Sequence, residues 1–148
     1  MNQKAEKFDL LIADLNKGGN SWFTKEEMTD DLHTVVYHGR LDVYEHSLPV
    51  FIVVDDSAFS YARIAITTTS IDEKVIPAVL KELNTLNQDY KVSKYYVSNE
   101  DNNIYMDVSV PGLTEQFDPT VVVNLLLEVV QPHLDAVHKG ILKVAGLA

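Results

Sequence analysis

The sequence predicts one α+β domain spanning residues 1–148, a two-layer structure with an antiparallel sheet and helices in the order α-β-β-β-α-β-β-α. Three observations carry this prediction. Stretches with a side-chain period of two gather at 33–68 and again at 91–110, helical periodicity lies before, between and after them, and the connections are short enough for neighbouring strands to pair. A length of 148 residues suits one domain that buries about two thirds of its unfolded surface without staples.

The first element is a helix. Phe8, Leu11, Ile12 and Leu15 recur at helical spacing, and Asn16-Lys17-Gly18-Gly19-Asn20 stops it. Trp22 and Phe23 then precede Glu26, Glu27, Asp30 and Asp31, which read as a loop with aromatics on the core edge and carboxylates in water. Residues 33–45 sort in two ways. A hairpin at His38-Gly39 would put Val35 and Tyr37 on the same face as Arg40 and Asp42. One continuous strand instead puts Val35, Tyr37, Gly39, Leu41 and Val43 on one face and Thr34, His38, Arg40 and Asp42 on the other. The second sorting is cleaner, so one long strand is expected, with a bulge or bend at Gly39.

Leu48–Val54 is apolar on both faces and reads as a central strand. Asp55-Asp56-Ser57 turns the chain, and Tyr61–Thr68 forms the third strand of a meander with Ala62, Ile64 and Ile66 inward. Ser70-Ile71-Asp72-Glu73 fits a capping box ahead of a helix that carries Ile76, Val79, Leu80, Leu83 and Leu86 on one stripe. Pro77 places its first regular turn nearer Lys74 than Ile71. Strands Lys91–Ser98 and Ile104–Val110 follow, joined by the polar turn Asn99–Asn103. Asp118-Pro119 supplies an N-cap and an N1 proline for a long last helix. Asn124, Glu128, Gln131 and Asp135 line one face of it, and Pro132 should kink it or end its first half.

Charge and composition exclude several classes of function. Lys and Arg number 12 against 22 Asp and Glu, a net charge of −10 that repels a phosphate backbone, so no nucleic-acid partner is expected. The absence of cysteine removes disulfides, thiolate metal sites and cysteine nucleophiles. Met1-Asn2-Gln3-Lys4 leads into an amphipathic stretch without an apolar leader, so the expected location is cytoplasmic. The apolar run Val121–Val130 is broken by Asn124 and Glu128 and falls short of the ~20 residues that span a bilayer, so no membrane partner is expected.

No constellation of residues specifies a reaction. His33 and His38 point to opposite faces of the long strand, and His38 and His46 lie about 27 Å apart along an extended chain. His133 and His138 are separated by roughly 140° around a helix and cannot chelate together. Asn99, Asp101 and Asn103 mimic the start of an EF-hand loop, but Ile104 replaces its glycine and Val110 its bidentate glutamate. Gly18-Gly19 lacks a P-loop sequel, and Asp55-Asp56 reads as a structural turn. No catalytic, cofactor-binding or metal-binding residue is therefore assigned, and no cofactor is expected.

Surface character remains. Tyr44, Phe51, Val53, Tyr61 and Tyr105 fall on outward-facing parities of their strands, and aromatics beside carboxylates suit contact with a polypeptide partner or a second protomer. The last helix is apolar over more than half its circumference and the second strand on both faces. Leaving such surface wet costs about 25 cal/mol per Å², so a C2 homodimer is expected.

Leu48-Pro49 running into Asp55-Asp56-Ser57, Leu83-Asn84-Thr85-Leu86-Asn87 with Tyr90-Lys91, and Phe117-Asp118-Pro119 carry a family resemblance. With the order of elements from about 33 to 144, the chain resembles the YbjN-like family of bacterial sensory transduction regulators. That resemblance implies a fold similar to type III secretion chaperones, which are small, acidic, dimeric α+β proteins that hold an extended segment of a partner. It carries over no catalytic residue. The expected function is a non-enzymatic, cytoplasmic, protein-binding module of regulatory or chaperone-like type. The alternative is an enzyme or small-ligand-binding protein with its pocket between the sheet and the C-terminal helix.

Overall fold

Six strands form one antiparallel sheet with its helices on one face, as described by a computed structural model for residues 2–19 and 22–148. The elements are α1 (Gln3–Leu15), β1 (Thr24–Glu27), β2 (Val35–Val43), β3 (His46–Val54), β4 (Phe59–Ala65), α2 (Ile76–Asp89), β5 (Ser93–Val97), β6 (Ile104–Pro111) and α3 (Pro119–Val144). The strands are ordered β1-β2-β3-β4-β6-β5. The α+β class and the meander expected from sequence are present, with one additional edge strand.

That addition is β1, in place of the expected loop. It pairs with β2 from Thr24↔His38 to Glu27↔Val35, yet all four of its residues are exposed. Its Thr-Lys-Glu-Glu sequence has no apolar alternation to read. Pairing and ion contacts hold it instead: Lys25 Nζ lies 2.8 Å from an Asp9 carboxylate oxygen, and His38 Nε2 is 2.8 Å from Glu26. Charged side chains also protect this edge from adding a foreign strand. Asn20, the last residue of the expected helix stop, lies outside the described residues.

Residues 35–43 form one strand, as their face sorting predicts, and the register with β3 runs unbroken from Val35↔Val54 to Val43↔His46. No extra residue interrupts it at Gly39, so the expected bulge is absent. Glycine serves a different purpose there. A Cβ at Gly39 would lie 2.7 Å from the Phe23 ring, which also meets Phe8 edge-on with a centroid separation of 5.6 Å. Gly39→Ala should therefore destabilise the fold by about 1–3 kcal/mol through overpacking, seen as a lower denaturant midpoint at unchanged slope. Adding Phe23→Leu should restore part of that loss. An unchanged midpoint in the single variant would show that the ring yields freely.

The inward faces of β2–β6 and the helices share one core, in which Phe8, Tyr37, Ile52, Ile64, Met106, Leu134 and Ile141 are all at most 1% exposed. The start of α1 is tied to the sheet by side chains. Asn2 caps the helix through Ala5 N–H and donates to Val54 O, while Lys4 Nζ donates to Ser57 O at 2.6 Å.

The expected capping box dissolves into two separate contacts. Asp72 accepts from Lys74 N–H and caps a short 3-10 turn, whereas Ser70 Oγ donates to Asp101 O. On α2, Val79, Leu83 and Leu86 are buried but Leu80 is 48% exposed, so the contact face is narrower than the predicted stripe.

Asp118 caps α3 by accepting from Thr120 N–H. The helix continues through Pro132 to Val144, with Leu125–Val130 wound as a wider π turn. Proline has no N–H to donate, and its ring crowds the carbonyl four residues back, at Glu128; the widened turn accommodates both. The apolar stretch is thus longer than the sequence run suggested, and α3 has the length and composition of a membrane span. Val122, Leu126, Val130, Leu134 and Ile141 nevertheless bury one of its faces in the core.

Candidate protein-binding surface

The outer sheet face is built from cross-strand rows. His38, Phe51, Arg63, Asp107 and Lys94 stand opposite one another across β2, β3, β4, β6 and β5. Beside them runs Val36, Val53, Tyr61 and Ser109, and Tyr96 faces Tyr105 across the β5–β6 pair. Side chains two residues apart along each strand share this face, which is why Tyr61 accompanies Arg63 and Tyr105 accompanies Asp107.

At its centre is a charged pair clamped by aromatics. Arg63 donates to both Asp107 carboxylate oxygens, from Nε at 2.9 Å and Nη2 at 3.1 Å. The Asp107 side chain is 8% exposed and that of Arg63 38%. The guanidinium lies 5.1 Å from the Tyr61 ring centroid and 5.8 Å from that of Tyr96, within cation–π range. Tyr96 and Tyr105 stack with centroids 5.9 Å apart, and His38 meets Phe51 edge-on at 5.4 Å. A shallow groove of about 340 Å³ runs between Phe51, Val53, Tyr61, Tyr96 and Tyr105, with Arg63 in its wall.

The electrostatics fix these groups in single states near neutral pH. The hydrogen bond to Asp107 holds the Arg63 guanidinium above its ordinary value, so it stays charged. Desolvation and then the Asp107 charge push the Tyr96 phenol up to about 12. The hydrogen bond to Asp101 pushes Tyr105 up to about 12 and, in return, holds the Asp101 carboxyl below its usual range.

Of the five residues singled out from sequence, Phe51, Val53, Tyr61 and Tyr105 meet in this groove, opposite the helices. Tyr44 does not. It occupies the turn between β2 and β3, where strand parity has no meaning, and its backbone N–H donates to Asp135 on α3. Sequence reading missed Arg63 and Tyr96. The i,i+2 spacing of Tyr61 and Arg63 was available, but which strand supplies Asp107 and Tyr96 depends on the strand order.

Other sequence candidates have local structural roles. Asp55 accepts from Ser57 N–H and Asp56 contacts His33 Nδ1 at 2.6 Å, so the adjacent carboxylates diverge. Asp101 accepts from Asn103 N–H, and Asn103 accepts from Thr67 Oγ1. His133 lies against Tyr90, with ring centroids 3.8 Å apart and planes tilted by 49°, and shares a hydrogen bond with Tyr95 OH; burial lowers its pKa. His46 and His138, which strand-spacing arguments did not connect, have ring centroids 5.0 Å apart. Among the described residues, no three histidine or carboxylate side chains converge as a metal site.

The fold is α+β, one antiparallel sheet with its helices on one face, and it has a counterpart among solved structures. One chain in the crystal structure of the ExsC–ExsE complex is similar to it, with a TM-score of 0.56 and 11% sequence identity over 94% of this chain and 96% of that one. At that identity the likeness is one of fold. No protein-family model and no curated protein matches the sequence.

Proposed function

We propose that this chain is a non-enzymatic, cytoplasmic protein-binding module of chaperone-like type that works as a homodimer and holds an extended partner segment on its outer sheet face. The observation that carries this reading is the uncovered face itself. A domain with its helices on one side leaves an aromatic groove on the other, with Arg63 beside Phe51, Tyr61 and Tyr105. Aromatic and arginine side chains are the groups that most often anchor protein interfaces. The likeness in fold to a chain in the ExsC–ExsE complex supports the reading, as does the sequence resemblance to YbjN-like regulators. The net charge of −10 favours a partner rich in Lys and Arg and speeds its encounter.

The test is Phe51→Ser with Tyr105→Ser. Both side chains are half-buried on the outer face, so helix content should be unchanged while recovery of the native partner falls at least tenfold, the effect of losing about 1.4 kcal/mol. A photo-crosslinker at position 51 should capture that partner, and one at Leu80 on the helical side should not. Equal recovery by the variant and the unmodified protein would overturn the proposal.

A further inference from the structure

The groove on the outer face has two unlike ends. One is apolar, where Val53 stands opposite Tyr61 across β3 and β4. The other is acidic, with Glu100 and Asp101, in the turn between β5 and β6, beside Tyr105. Tyr105 OH donates to Asp101 Oδ2, and that bond keeps the carboxylate charged at neutral pH. Among the described residues, no lysine, arginine or histidine pairs with Glu100 or Asp101. Arg63 is the one cation among the residues lining the groove, and Asp107 already neutralises it. Lys94 stands outside the lining, with its Nζ 5.7 Å from the Tyr96 ring. The acidic end thus joins unbalanced carboxylates to an aromatic ring, a setting that suits a cation on an apolar stem.

Both edges of the sheet are closed to an added strand. Charged side chains guard β1. At β5 the side-chain amide of Asn87 takes the place of a neighbouring strand: its Oδ1 accepts from Tyr95 N–H at 2.7 Å and its Nδ2 donates to Tyr95 O at 3.1 Å. Asn87 belongs to α2, so the middle of this edge is paired within the chain. The face is what remains for an extended segment. Ala65, four residues beyond Tyr61 on β4, stands opposite Tyr105, which sets the apolar and acidic ends ~14 Å apart. In an extended chain, the side chains of residues i, i+2 and i+4 share one face and span that same length. Between the ends, Arg63 commits Nε and Nη2 to Asp107, and its Nη1 is left to donate to a main-chain carbonyl passing above.

We propose that the groove reads an extended partner segment through two side chains four residues apart: an aliphatic one against Val53 and Tyr61, and a lysine or arginine against Tyr105 with its cation on Asp101 and Glu100. The segment crosses the sheet face and adds no strand to either edge. This inference rests on the protein-binding reading of the outer face and gives that face a partner chemistry.

The experiment is an NMR titration of the full chain, labelled with nitrogen-15, with the peptide acetyl-Thr-Leu-Thr-Thr-Thr-Lys-Thr-amide and with its reversed sequence. One of the two orders should give saturable shifts at the Val53, Tyr61 and Tyr105 amides at millimolar peptide, with the Tyr95 amide unmoved. Replacing the peptide lysine by glutamate should weaken binding at least tenfold. Moving leucine and lysine to three residues apart, which sends them to opposite faces, should weaken it at least fivefold. Glu100→Gln, at an exposed position, should weaken the lysine peptide several-fold without changing the fold. Asn87→Ala should leave the titration unchanged. The proposal is overturned by an absence of saturable shifts for both orders, by equal binding of the glutamate or three-apart peptide, or by unchanged affinity in Glu100→Gln. Shifts confined to Ser93–Val97 that Asn87→Ala strengthens would show strand addition at β5 and would overturn it too. If the peptides fail while a crosslinker at position 51 still captures the native partner, the groove's occupant is misassigned and the outer-face reading stands. If both fail, the two fall together.

Discussion

Arg63→Met is expected to destabilise the fold by about 3 kcal/mol, the lower end of the cost of breaking a buried ion pair, because Arg63 itself is partly hydrated. The loss arises mainly at the residue left behind. The Asp107 side chain is 8% exposed, and without the guanidinium the Tyr96 hydroxyl, at 3.2 Å, is the one side-chain donor left to it among the described residues. A buried carboxylate stripped of its cation must stay charged at high cost or take up a proton. The converse change is milder. In Asp107→Leu the guanidinium, already 38% exposed, can turn to water while keeping its stacking on Tyr61, so about 1 kcal/mol is expected. The double variant should be more stable than Arg63→Met alone. Denaturant midpoints of the three variants measure this asymmetry directly. Equal losses in the two single variants would show that the pair acts through its contact and not through the buried charge of Asp107.

The same pair shows how far sequence reading reaches. Asp107 was read as an outward polar residue from its parity on β6, and its side chain does lie on the outer face. Its burial follows from Arg63 and Tyr96, which reach it from β4 and β5. Such cross-strand neighbours depend on the order β4-β6-β5, and side-chain periodicity contains no information on strand order. Periodicity did distinguish the continuous strand 35–43 from a hairpin, because a parity error would have flipped every side chain. It was silent on β1, whose Thr-Lys-Glu-Glu exposes both faces. Strand length, not periodicity, suggested a bulge or bend at Gly39, and there a ring from a neighbouring segment, not a bulge, requires the glycine. Four of the five surface residues were placed together by parity alone. The fifth, Tyr44, lies in a turn outside any strand.

Light scattering is expected to report twice the chain mass of 16.6 kDa, and Val129→Glu should reduce it to the mass of one chain. Val129 belongs to a solvent-facing stripe of α3 that also carries Val121, Pro132 and Ala136, with Leu125 half-buried against the core at its edge. Val121 is 47% and Val129 44% exposed, on the side away from the buried Val122, Leu126, Val130 and Leu134. Gly140 extends the stripe. A Cβ there would meet nothing within 4 Å, so the isolated chain has no use for a glycine that costs about 1 kcal/mol against alanine in a helix interior. A second helix approaching closely would use it. Because Val129 is exposed, glutamate there should leave the fold and its helix content intact. Gly140→Leu should weaken the same dimer by holding the helices apart. Phe51→Ser with Tyr105→Ser should leave the mass at two chains, since those residues lie on the opposite side of the molecule. If that pair of changes produced single chains while Val129→Glu did not, the dimer would sit on the sheet and the groove would be covered by the second copy. A one-chain mass for the unmodified protein across micromolar concentrations would reject the homodimer itself.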